Sequence, residues 1–171
     1  FRVATVNSPI LVGHSLGGLV ALAAAANASF SASALVLCDI GATLAVSRRN
    51  QLLRALRPPI FKNARDLHSR FRLLGGPTHA PSSLIRQIAI KSVTVDTAGS
   101  LRLKGDRATL THAPIDLTRS LGRVNCPTLI MRGEESRTLS RARMEKTLRS
   151  CPGAVTIEIP RAGHHLFLDR P

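Results

Sequence analysis

Four short apolar runs punctuate the chain, each closed by a residue that breaks or turns the backbone. Ile10-Leu11-Val12 runs into Gly13, and Ala34-Leu35-Val36-Leu37-Cys38 ends at Asp39-Ile40-Gly41. Thr128-Leu129-Ile130-Met131 opens after Pro127 and closes at Gly133, and Ala154-Val155-Thr156-Ile157-Glu158-Ile159 closes at Pro160. Successive apolar residues, rather than alternating ones, describe strands buried on both faces, as in a parallel sheet covered by helices. Between the first two runs, residues 19–28 are rich in Leu, Val and Ala and predict a helix apolar on nearly all sides. Strand, helix and strand then form a βαβ unit. Between the last two runs, residues 140–150 predict a helix with a basic outer face and Ala142, Met144 and Leu148 turned inward.

The stretch from 43 to 117 follows a different pattern. It is more basic and predicts helices near 47–56, 63–74 and 82–93, separated by Pro58-Pro59, Gly75-Gly76-Pro77 and Pro81. Residues 99–106 alternate and read as a hairpin arm. A helical excursion between two parallel strands predicts a cap inserted over the carboxyl ends of the strands, where open α/β sheets bind ligands. The expected division is a core of 1–42 and 118–171 and a cap of 43–117.

Length and composition narrow the class. The 171 residues suffice for one core, and no apolar run is long enough to cross a bilayer. The formal charge of +14 raises nucleic-acid binding as a reading. The 20 Arg and 4 Lys are scattered, however, with no run longer than Arg48-Arg49. Tyr and Trp are absent and the five Phe do not interleave with basic residues as a stacking platform would, so the expected partner is a small molecule, with neither nucleic acid nor membrane. Cys38, Cys126 and Cys151 have no C-x-x-C spacing and read as free thiols in a reducing, cytoplasmic compartment.

The candidate chemistry begins at Gly13-His14-Ser15-Leu16-Gly17-Gly18, between the first strand and its helix. A serine at so sharp a turn takes a strained backbone and presents its hydroxyl above the sheet. The Leu16 N–H points at whatever that hydroxyl attacks. Small residues must flank the turn for strand and helix to close, and Gly13 and Gly17 fill that need. The competing reading is a serine that caps the helix. Gly163-His164-His165 follows the last strand and supplies a candidate base. Adjacent His164 and His165 diverge and lack a third ligand at metal spacing, so no metal is expected.

These segments resemble the α/β-hydrolase family. Residues 11–18 resemble its nucleophile turn, residues 127–134 its seventh strand and following turn, and residues 159–171 its histidine loop, in the serine-before-histidine order. The resemblance implies the C-terminal part of a doubly wound, mostly parallel sheet with a helical cap. A whole domain of this kind runs to roughly 250 residues. The expectation is therefore of a chain cut at both ends, without the loop bearing the second oxyanion donor, and inactive alone.

The resemblance further implies a serine hydrolase acting through an acyl-enzyme on an ester, thioester or carbon–carbon bond, without cofactor. Ser15 is the nucleophile, His164 the base and the Leu16 N–H the oxyanion donor. His165 lines the pocket, and His14 packs beside the turn or lines the pocket with it. Apolar residues of the cap segment (Leu52, Leu53, Leu56, Ile60, Phe61, Phe71) suggest a hydrophobic substrate. The acid departs from the family pattern, since Ser136 occupies its usual position. Asp39 is the first substitute, Glu135 with its neighbour Glu134 the second, and the absence of a working acid the third. An acyltransferase and a non-catalytic binding protein remain the alternative functions. Asp169 is expected to cap a helix beyond Pro171.

Overall fold

A computed structural model describes residues 7–44, 60–105 and 115–171. The chain divides into two compact units: the described residues 7–44, 75–78 and 115–171 form one, and 60–74 and 79–105 the other.

The first unit is built on a four-stranded, all-parallel sheet in the order β1 (Ile10–His14), β2 (Ala34–Cys38), β7 (Thr128–Gly133), β8 (Val155–Ile159). All four strands lie where the apolar runs placed them, with β1 and β7 each two residues longer and β8 one residue shorter. The helix after β1, α1 (Leu16–Ala25), starts earlier and ends earlier than the apolar run suggested. It begins directly after Ser15, and beyond its end the Asn27 side chain accepts the Ser29 N–H at 3.0 Å, turning the chain toward β2. Leu19 and Leu22 of α1 pack on Leu35, Leu37 and Ile130, a cluster completed by Ile40, Leu121 and Leu139. Each such side chain contributes about 1.5–3 kcal/mol by leaving water. Helices α4 (Thr118–Leu121) and α5 (Arg141–Arg149) belong to the same unit. Two-residue strands β3 (Thr43–Leu44) and β6 (Ile115–Asp116) pair antiparallel where the chain leaves and rejoins it. The last helix, α6 (Leu166–Asp169), is short.

The second unit holds α2 (Ala64–Arg70), α3 (Ser82–Lys91) and the antiparallel pair β4 (Val93–Val95) and β5 (Leu101–Leu103). Asn63 caps α2 by accepting the Asp66 N–H at 3.0 Å. Phe61, Leu67 and Ala89 form this unit's own core, with Phe71 half-buried against it. Phe61 is fully buried and the Arg70 guanidinium lies over its ring, so it serves packing rather than a pocket wall. The helix expected at 47–56, with Leu52, Leu53 and Leu56, lies outside the described residues.

Candidate active site

Every candidate catalytic residue sits in the first unit, at or beyond the carboxyl ends of its parallel strands. The β1–α1 turn is strained at Ser15, with φ 53° and ψ −125°. Although Ser15 stands at the head of α1, its side chain makes no capping hydrogen bond, so the hydroxyl is not occupied by the helix. The Ser15 N–H donates to the Cys38 carbonyl at 3.2 Å, which ties the turn to the end of β2. Leu16 opens α1, so its N–H has no acceptor within the helix.

The glycines that permit this turn are Gly13 and Gly18, which corrects the expectation for Gly17. A Cβ on Gly13 would lie 2.5 Å from the Gly17 carbonyl oxygen and the Gly18 Cα. One on Gly18 would lie 2.3 Å from Ile40 Cγ2. At Gly17 it would meet nothing within 4 Å. The close approach is between the end of β1 and the second residue past Leu16, where α1 crosses the sheet.

Asp39 also carries a positive φ, 52°, one residue past β2. Its carboxylate is fully buried and accepts three hydrogen bonds. The Gly133 N–H reaches Oδ1 at 3.1 Å, the His164 Nδ1–H reaches Oδ2 at 2.7 Å, and the Ser136 hydroxyl also donates to Oδ2. Burying a carboxylate is costly unless donors surround it, and here they do. Of the three readings of the acid position, the structure joins Asp39 to His164. Glu135 is exposed, and Glu134 accepts the Arg161 N–H at 2.8 Å. Among the described residues no hydrogen bond joins the Ser15 hydroxyl to His164. Such bonds often tighten only in the reacting complex.

His164 is 4% exposed and held on several sides. The His14 Nε2–H donates to the His164 carbonyl at 2.8 Å, and the two rings stand 4.5 Å apart. Burial pushes the His14 imidazole below its ordinary range, His164 and His165 push the same way, and the His164 carbonyl and Asp39 oppose them. The His14 ring packs against those of His164 and His165. His165 is half-buried, its ring 5.0 Å from that of His164 and 5.3 Å from that of His14.

Two contacts in this loop had no counterpart in the sequence reading. The Asp169 carboxylate accepts the Gly163 N–H at 2.7 Å and the Thr78 hydroxyl, which fixes the loop before His164. Gly75, read only as a break, has φ +99°, and a Cβ there would lie 2.1 Å from His164 Cδ2. The Gly75-Gly76 pair was the available signal, since paired glycines mark a turn and admit a positive φ.

A parallel sheet carrying a strained serine turn, a buried carboxylate and a histidine loop defines an α/β-hydrolase site. A model of the alpha/beta hydrolase family matches residues 3–171, and the chain belongs to that family. Among solved structures it is similar to E-2-(acetamidomethylene)succinate hydrolase, at 26% identity and TM-score 0.79, over 96% of this chain and 63% of that one. It is also similar to a putative hydrolase from Rickettsia typhi, at 20% identity and TM-score 0.79, over 93% of this chain and 56% of that one. A third is an esterase from Mycobacterium tuberculosis, at 20% identity and TM-score 0.69, over 95% of this chain and 56% of that one. The chain thus spans less than two thirds of the length of each of the three. Among the described residues no helix is long and apolar enough to cross a membrane.

Proposed function

We propose that this chain carries the nucleophile, base and acid of a serine hydrolase working through an acyl-enzyme. The observation that carries the reading is the buried Asp39–His164 hydrogen bond, 2.7 Å long, beside a strained serine whose hydroxyl does not cap its helix. Ser15 Oγ attacks a carbonyl carbon while His164 Nε2 takes its proton. The tetrahedral oxyanion accepts the Leu16 N–H, and His164 returns the proton to the departing group. Water then repeats the sequence and releases the acid. Asp39 fixes the Nδ1–H tautomer, leaving Nε2 as the acceptor, and stabilises the imidazolium as it forms.

The proposed substrate class is a small, apolar ester or thioester, or an activated carbon–carbon bond. The hydrolase that is 26% identical supports the general class of reaction. Three free cysteines fit a reducing, cytoplasmic setting.

The test is rapid mixing of the full natural chain with a series of p-nitrophenyl and thio esters. A burst of leaving group, stoichiometric with protein and absent in Ser15→Ala, is expected. Turnover without a burst and unaffected by Ser15→Ala would overturn the reading.

A further inference from the structure

The residue at the family's usual acid position is neither idle nor a spacer. Ser136 is 7% exposed, and its hydroxyl sits between the carboxylate and the backbone of its own turn. The Thr138 N–H donates to Ser136 Oγ at 3.0 Å and the Leu139 N–H donates to it at 3.2 Å. A serine hydroxyl has two acceptor lone pairs and one proton. Both lone pairs are taken by backbone N–H groups, so the proton has one direction left, toward Asp39 Oδ2.

That oxygen is the one that accepts the His164 Nδ1–H. The geometry points to Ser136 as a positioning residue for the proposed catalysis, one that acts on His164 only through Asp39. It does so in two ways. With the Gly133 N–H on Oδ1 and the Ser136 hydroxyl on Oδ2, the carboxylate plane cannot rotate, so Oδ2 stays aimed at Nδ1. The same hydroxyl draws charge from Oδ2 and limits how strongly Asp39 holds the imidazolium. The role rests on the serine-hydrolase reading above, but the hydrogen bonds on which it is built do not.

Among the described residues, the titratable groups about the imidazole are Asp39 after β2, His14 at the end of β1 and the adjacent His165, with Asp169 bonded to the neighbouring Gly163 N–H. None of them touches Ser136 except Asp39.

Ser136→Ala and Ser136→Cys in the full natural chain test the role. The thiol keeps the size and a weaker donor; alanine keeps neither donor nor acceptor. Ester turnover by Ser136→Ala is expected to show kcat lower by about tenfold with KM within about twofold. The acid limb of the rate profile should move to higher pH, because Oδ2 freed of the hydroxyl holds the imidazolium more tightly. Ser136→Cys should fall between alanine and wild type in both respects, and it carries the same comparison alone if the alanine protein does not fold. The proton resonance of His164 Nδ1–H should shift in the same graded order, and this readout needs no turnover. If wild type lacks turnover, the hydrolase reading fails while a graded resonance still upholds the positioning of Asp39. A wild-type resonance and rate profile in folded variants would overturn the role, as would equal losses in both variants with an unmoved acid limb.

Discussion

At Asp39 a single side chain satisfies three donors from three parts of the chain: Gly133 on β7, Ser136 in the turn after it, and His164 in the last loop. Asp39→Asn keeps the shape but offers an amide where Nδ1–H needs an acceptor, so the ring takes the wrong tautomer. Ester turnover should fall by about 10³–10⁴-fold. Glu135→Gln, at an exposed side chain, should stay within about twofold. Equal losses in the two variants would remove Asp39 from the acid position. Gly75→Ala adds a methyl group 2.1 Å from His164 Cδ2 at a backbone φ of +99°. It should lower stability by about 1–3 kcal/mol in urea unfolding and reduce turnover more than tenfold, since the ring itself must move. The turn at Ser15 and the loop at His164 could be placed from the sequence because glycines and strand ends announce them locally. Ser136 was legible only as a vacancy. Its bond to Asp39 depends on β2 lying beside β7, a long-range fact that no local spacing expresses.

Between elements, Glu158 on β8 joins a network of charges. It accepts from Arg141 of α5 at 2.6 Å and from Arg132 of β7, whose guanidinium also donates to the Leu139 carbonyl at 2.7 Å and the Glu134 carbonyl at 3.0 Å. Arg141 first, then Arg132, holds the Glu158 carboxyl below its ordinary range despite partial desolvation. A carboxyl depressed in the folded state adds stability above the ordinary glutamate value of about 4.3, and that stability is lost as pH falls through the folded value. Urea midpoints should therefore decline below about pH 4, and Glu158→Gln should flatten that decline while lowering stability at pH 7. An unchanged acid slope in the variant would show that the bridge does not couple the strands. The four parallel strands were legible because each is a short, largely apolar run closed by a residue that turns the chain. The β3–β6 pair was not: two residues on each side, Thr43–Leu44 and Ile115–Asp116, are too few to show a period. The end of α1 was displaced for a related reason, since alanines continue past it while the Asn27 turn stops the helix.

Across the whole molecule, the two faces of the parallel sheet differ. Leu35, Leu37 and Ile130 point to the face covered by α1 and are fully buried. The opposite face carries the row Val12, Val36, Leu129 and Val155, aligned by strand register. Cys38, Ala162 and Leu166 close only part of it, and Val12, Val155 and Ile157 remain 67%, 63% and 43% exposed. An apolar surface of this kind associates in water. The 171-residue chain on its own should bind a hydrophobic dye and elute above monomer size, and Val155→Lys should diminish both. Monomeric elution without dye binding would contradict the exposed face. The central claim concerns the hydroxyl at the tip of β1, and the direct measurement is peptide mass analysis after treating the full natural chain with a fluorophosphonate. The account predicts one adduct, on Ser15, abolished by Ser15→Ala and strongly slowed by His164→Ala. Folded protein that stays unlabelled, or an adduct on another residue, would contradict it.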